Sequence, residues 1–368
     1  MAKKKTALVS GGGILLLLVV ALVAMRLAQS VDDSPPPMTA QKQAQLAALD
    51  ELQQAHENYA GEFNPREREP TLRDSGRAAV GLFIHNTYFR IAGDIAFDTE
   101  HLSALLVPKE SSQPVILDDP GSFVFQPLNG SVTMPPKALA ALFNQYLTDY
   151  DDTQLRNTTV RTAPGKLIVE GETAKIPGLW LPFHMEGSVR VEQGHLFVYE
   201  PSKIEVAKIE AKGLLEGIRL QLSSLLDIET GGAEFSGNNV VLDLNHSLPP
   251  PTQDVNVSEM AIDDAGVHLT FSSDFNPEFP PTIVDSDSYV MIQGGDIKTF
   301  RAVITDARLQ MVAQNGGKLD ASLYSYREQI LAGLFDATPA GELVAYLGPY
   351  QPADYLPPAQ PEGDDDAS

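Results

Sequence analysis

The chain has 368 residues, with 49 Asp and Glu against 26 Lys and Arg, a net charge of −23. A domain this acidic lacks the basic footprint that nucleic acid requires, and anionic lipid headgroups would repel it. Cysteine is absent, which removes disulfides, thiol catalysis, thiolate metal sites and cysteine lipidation together.

Lys3, Lys4 and Lys5 precede an uncharged run over 6–25, and its centre from Ile14 to Val23 is almost wholly aliphatic. A run of about 20 such residues is long enough to cross a bilayer. An uncleaved transmembrane anchor over 6–28 is expected. The lysines favour a cytoplasmic N-terminus, and Arg26 on the far flank reduces the contrast. The alternative is a cleaved secretory signal, for which Ala28-Gln29-Ser30 supplies small residues at the cut. Either reading places the bulk of the chain outside the cytoplasm.

A linker or stalk over 29–78 follows. Pro35, Pro36 and Pro37 stiffen its start. Residues 40–59 are rich in Ala, Gln, Leu and Glu and read as a helix, with Leu46, Leu49 and Leu52 as a narrow apolar stripe. Residues 79–350 read as one large strand-rich domain. Strands are expected over 88–97 and 102–107. Alternation marks others at Met185, Gly187, Val189 and Val191, at Val240, Leu242 and Leu244, and at Val267, Leu269 and Phe271. Turn residues at Gly165, Gly194, Gly231-Gly232 and Gly294-Gly295 separate them and favour antiparallel meanders.

Three amphipathic helices interrupt the strands. Leu139, Leu142, Phe143 and Tyr146 share a face of the first. Leu214, Leu215, Ile218, Leu222, Leu225 and Leu226 line the second, over about 212–226, where Gly213 and Gly217 suit close approach to a sheet. The third covers about 323–335. The tail over 351–368 is acidic and proline-rich and reads as disordered. Strands with a few embedded helices define an α+β domain.

The side chains supply no catalytic motif. The seven histidines are scattered and form no His-x-x-x-His pair, and Ser236 lacks the Gly-x-Ser-x-Gly frame. The acidic clusters at Asp149, Asp151 and Asp152 and at Asp263-Asp264 lack the Gly and Glu of a calcium loop and read as solvated turns. No metal and no cofactor are expected, and a hydrolase is the third choice, resting on His184 with Glu186 or Asp243. More informative is the stretch around Trp180, the sole tryptophan. Downstream, Leu196 and Val198 lie on one strand face and Phe197 and Tyr199 on the other. A sheet covered on both sides accounts for this. The sharper reading is an apolar cavity between a curved sheet and the long helix, lined by Trp180, Phe197, Leu214, Leu215, Ile218 and Leu222.

A resemblance follows from the order of segments. Gly130-Ser131-Val132 leads to a helix with Asn144. Then come Leu155-Arg156-Asn157-Thr158-Thr159-Val160, Pro182-Phe183-His184-Met185-Glu186-Gly187, Pro201-Ser202-Lys203-Ile204, the apolar helix and Leu248-Pro249-Pro250-Pro251. This layout over about 80–350 resembles an uncharacterised family of bacterial membrane-anchored envelope proteins. From 130 to 271 it is also similar to the tubular lipid-binding (TULIP-like) superfamily. That likeness implies long, strongly curved antiparallel sheets wrapped around or packed on a few amphipathic helices. It also implies non-catalytic binding or transfer of a lipid-like ligand. The expected partners are therefore an apolar ligand and the membrane, with no nucleic acid. A structural or assembly protein of the envelope, with a solid core and protein partners, is the alternative.

An alkaline phosphatase reporter, which is active only after export, should work when fused at Gly76 or Ala353. Stable but inactive fusions would reverse the orientation.

Overall fold

Alternating apolar residues with turn signals between them build the whole described structure. The computed structural model describes residues 79–147, 155–176, 179–207, 209–210, 233–236, 238–300 and 302–352, all in one compact unit. The anchor at 6–28, the stalk helix, the helix at 212–226 and nearly all of the acidic tail lie outside them.

The strands, in chain order, begin with β1 (Val80–Ala92), β2 (Ile95–Pro108), β3 (Val115–Ile116) and β4 (Phe123–Met134). Next are β5 (Leu155–Ala163), β6 (Lys166–Ile176), β7 (Leu179–Glu192), β8 (Leu196–Val206), β9 (Ile209–Glu210), β10 (Ala233–Ser236) and β11 (Asn239–Asp243). The remainder are β12 (Thr252–Gln253), β13 (Val257–Asp263), β14 (Gly266–Phe271), β15 (Tyr289–Gln293), β16 (Asp296–Thr299), β17 (Ala302–Thr305), β18 (Arg308–Ala313), β19 (Asp320–Ser322), β20 (Leu334–Ala337) and β21 (Leu343–Leu347). Two short helices accompany them, α1 (Pro136–Leu142) and α2 (Tyr326–Leu331).

Three sheets result. The large one has the order β13-β14-β4-β2-β1-β15-β18-β21-β20, with β12 added to β4 and β19 to β1. The second is an antiparallel meander, β10-β11-β8-β7-β6-β5, with β9 on β8. The third is β17-β16-β3. Pairing in the large sheet is mostly antiparallel, but β18 and β21 run parallel, as do β1 with β19 and β4 with β12.

Two expectations are corrected. Residues 88–97 are not one strand. Gly93 and Asp94 turn the chain between β1 and β2, and Phe89 pairs with Phe97 across the hairpin. The apolar run conceals the turn because Ile91, Ala92 and Ile95 on both flanks are buried. The helix expected over 323–335 shortens to α2, since Leu334 instead pairs with Tyr346 and opens edge strand β20. Cross-strand pairing here overrides helical periodicity. The first helix is α1, and the turn after it widens over Phe143–Leu147.

Inner-facing side chains of the large sheet and of the second sheet join in one apolar cluster, including Ile84 and Val132 from one and Val169 and Phe183 from the other. Hairpin tips of the second sheet fasten it to β13. The Gly165 N–H donates to the Ile262 carbonyl at 2.9 Å, and the Val257 N–H donates to the Gly194 carbonyl at 2.7 Å. Of two glycines in the motifs quoted above, Gly187 sits at a bulge and Gly130 lies between two register shifts in the pairing of β2 with β4. A Cβ on Gly130 would lie 2.1 Å from the His101 carbonyl oxygen, and one on Gly187 would lie 2.2 Å from that of Glu200. Any side chain there would push the neighbouring strand away.

The large sheet is also covered on its other face. Phe83, Tyr289, Met291, Val312 and Val344 pack there beneath Phe279, Ile283 and Val284. Gln310, with no exposed surface, fastens this cover. Its Oε1 accepts from the N–H groups of Ile283 and Val284 at 2.6 and 2.9 Å, and its Nε2 donates to the Val284 carbonyl at 3.0 Å. Burial on both faces explains the continuous apolar run of β15.

On the second sheet, Arg156 pairs with Glu172, Lys166 with Glu186, Arg161 and His184 with Glu170, and Arg190 with Glu192 and Glu200. The best-organised ionic group closes the β1–β2 hairpin. Arg90 meets Asp320 through two hydrogen bonds at 2.6 and 2.9 Å and Asp94 at 3.0 Å, with the Tyr88 and Tyr350 rings 4.9 and 4.2 Å from its guanidinium carbon. Lys137 reaches Asp94 at 3.0 Å, which ties the start of α1 to the hairpin.

Burial acts to raise the Asp94 pKa, but hydrogen bonds and charge from Lys137 and Arg90 outweigh it and hold the carboxyl below its ordinary value. A depressed folded-state pKa contributes stability above the unfolded value of about 3.9, and that contribution is lost as pH falls through the folded value. The melting temperature should therefore drop as the pH is lowered below about 4. Asp94→Asn should lower the neutral-pH value and flatten this part of the profile, measured by circular dichroism. An unchanged acid limb in the variant would remove Asp94 from the cause.

Candidate ligand-binding cavity

Between the two larger sheets lies a cavity of about 150 Å³. One wall comes from the large sheet, including Leu82, Ile84, Leu102, Val132 and Val290. The facing wall comes from β5 to β8 and β11, including Val160, Val169, Met185, Phe197 and Leu242. Leu139 and Leu142 of α1 close one side. α1 holds this place because Ala138, Leu139, Ala141 and Leu142 fall on one buried stripe, against β2 and β5. A pocket able to hold one water needs about 10–15 Å³ by the same measure, so this space is roughly tenfold larger.

The lining carries no charge. Among the described residues, no Asp, Glu, Lys, Arg or His borders the cavity. Two phenols do. Tyr199 donates to the Leu167 carbonyl at 3.3 Å, and burial pushes its pKa up. Tyr326 is raised too, by burial and by Asp118, to which it hydrogen-bonds. The Thr299 hydroxyl lies 2.6 Å from it on the other side. Both phenols remain neutral at physiological pH. Asp118 also accepts from the Phe300 N–H at 2.8 Å, and the Tyr326 hydroxyl is engaged within the protein.

The expected ligand contacts separate. Phe197 lines the cavity from β8, with Tyr199 two residues on and Val198 buried on the opposite face. Trp180 does not border it. At the start of β7 it lies against the guanidinium of Arg156, 4.0 Å from ring centre to carbon. Leu214, Leu215, Ile218 and Leu222 lie outside the described residues. The wall from β1, β2, β4, β14 and β15 is not among the expected contacts. Its signal is alternation within those strands, as in Leu82 and Ile84 or Val267, Leu269 and Phe271.

The candidate hydrolytic pair is not assembled. His184 Nδ1 lies 2.9 Å from Glu170 on the adjacent strand, Glu186 pairs with Lys166, and Asp243 lies 2.7 Å from His246. Among the described residues no three His, Asp or Glu side chains converge on a metal-sized space, and no helix is long and apolar enough to cross a membrane. Asn129 and Asn245 each hold a loop. Asn129 accepts from the Ser273 N–H at 3.0 Å and Asn245 from the Val255 N–H at 2.9 Å. Comparison with family models, with curated proteins and with solved structures returns no match for this chain.

Val169→Phe would add a ring from the middle of β6 into this space. Its stability to urea should equal or exceed that of the parent. A loss of about 1–3 kcal/mol, the usual cost of overpacking, would mean that the interior is already filled.

Proposed function

We propose that this chain is a membrane-anchored envelope protein that binds or transfers a lipid-like apolar ligand without chemical catalysis. The observation that carries the reading is the cavity whose described lining is free of charge. Each methylene moved from water into such a lining is worth roughly 0.8 kcal/mol, so an acyl chain gains affinity along its whole length. The aliphatic run at 6–28 supports a place beside a lipid source, with the domain in the periplasm or an equivalent space. A curved sheet around the helix at 212–226, as in TULIP-like proteins, is the arrangement we favour. The layout of motifs and the apolar face of that segment support it. Fold likeness alone would not carry the function.

A second reading, an assembly protein of the envelope, draws support from β20. This strand is exposed throughout, with Leu334 57% and Phe335 46% exposed at the free edge of the large sheet. Such an edge is open to pairing with another chain.

The deciding experiment is solvent extraction of the purified full chain followed by mass spectrometry. Lipid should co-purify in fixed proportion, and Val169→Phe should reduce it. Reproducible absence of lipid, together with no uptake of a fluorescent acyl probe, would overturn the ligand reading. Protein neighbours recovered by proximity crosslinking would then favour assembly.

A further inference from the structure

The lining of the cavity contains a fully buried hydroxyl that the protein leaves unanswered. Thr158 is 4% exposed and borders the cavity, and its hydroxyl has no hydrogen-bond partner. A buried hydroxyl without a partner is costly, and most such groups in folded proteins are satisfied. Three other polar side chains of the lining have partners within the protein. The Ser247 hydroxyl donates to the Asp243 carbonyl, Gln253 Nε2 donates to the Pro251 carbonyl at 2.6 Å, and the Ser322 hydroxyl accepts from the Ser325 N–H at 3.2 Å.

Thr158 reaches the interior only through an irregularity in β5. Strict alternation from Leu155, which faces the cavity, would turn Asn157 and Thr159 inward. A bulge between Arg156 and Thr159, with Asn157 at φ +53°, turns Thr158 and Val160 inward instead. Side chains hold this bulge from several directions. Glu172 accepts from Arg156 Nε at 2.7 Å and from Asn157 Nδ2 at 3.1 Å. Asn144, at the end of the helical segment, donates to the Thr158 carbonyl at 2.6 Å and accepts from its N–H at 3.0 Å. Trp180 lies against Arg156. The backbone of Thr158 is thus fully engaged, and the hydroxyl alone is left over, held in place.

A lone water would answer it poorly. A buried water needs two to four polar partners, and the lining neighbours along the strand, Leu155 and Val160, offer none. An ionised ligand group is disfavoured as well, because none of the described residues that border the cavity carries a countercharge. Resting on the cavity as the ligand site, we propose that the Thr158 hydroxyl is its hydrogen-bonding anchor. The ligand then presents one uncharged oxygen to it, the carbonyl or hydroxyl of a neutral acyl ester or long-chain alcohol. Asn144, Glu172 and Trp180 are positioning residues for that hydroxyl.

The test uses the delipidated full chain in a fluorinated surfactant, which mixes poorly with hydrocarbon. Three probes compete with a fluorescent acyl probe: pentadecane, methyl dodecanoate and, well above its carboxyl pKa, dodecanoate. The readout is the ratio of ester to alkane affinity, compared between proteins so that partition from water cancels. Thr158→Val, of nearly the same shape, should fold with an unchanged or higher melting temperature and bind pentadecane as before. Its ester preference should fall about fivefold, the worth of one net hydrogen bond. Thr158→Ser should retain the preference. An equal ratio in the parent and Thr158→Val, or dodecanoate binding as tightly as the ester, would overturn the anchor while the cavity reading stands. Failure of every probe to bind the parent would overturn the cavity reading and the anchor with it.

Discussion

Keeping charge off the described walls of the space between the two larger sheets is the constraint on which the rest depends. Ionised side chains on the second sheet sit on its outer face, where solvent and a cross-strand partner share the cost of keeping them charged. The inner faces can then be apolar along their full length, and one cluster spans both sheets. The two phenols that reach the interior stay protonated because burial disfavours the phenolate, with Asp118 adding to this at Tyr326, and each finds an acceptor within the protein. A single buried carboxylate without a partner would undo this arrangement, since its desolvation would exceed what the surrounding contacts return.

Much of the architecture is legible in local pattern. Val267, Leu269 and Phe271 alternate with His268 and Thr270, and the structure buries the first set and leaves the second partly exposed. Phe197 and Tyr199 read as one apolar face of a strand and form part of the cavity wall. What local pattern does not show is which distant segments meet. Phe83 pairs with Met291 across more than half of the domain, and nothing near either residue announces the other. The far wall of the cavity comes largely from such pairings. For the same reason Trp180 reads as a ligand contact on bulk alone, although its ring is taken by Arg156 of a different strand. Thr158 is the clearest case. The rule of two places it on the outside of β5, and only the bulge, set by partners on β6 and beyond α1, turns it in.

Long-range polar staples complement the apolar core. Gln329 accepts from the Ser322 N–H at 2.8 Å and donates to the Asp320 and Gly348 carbonyls at 2.6 and 3.2 Å, so α2 fastens β19 to the end of β21. Arg90 holds the same strand through the Asp320 side chain. These groups satisfy backbone donors and acceptors that short strands leave open, which allows a strand of three residues to hold its place.

Gln310 has a wider consequence. Its amide is complete only when β18 presents it to the cover formed by residues 283 and 284. Sliding β18 by one residue along β15 would exchange the two faces of the strand. Leu309 and Met311 could tolerate such a slip as hydrocarbon, but Gln310 would then point toward the interior with its donors and acceptor unmatched. One amide thus penalises every odd misalignment of the strand, and it does so through states the protein does not occupy.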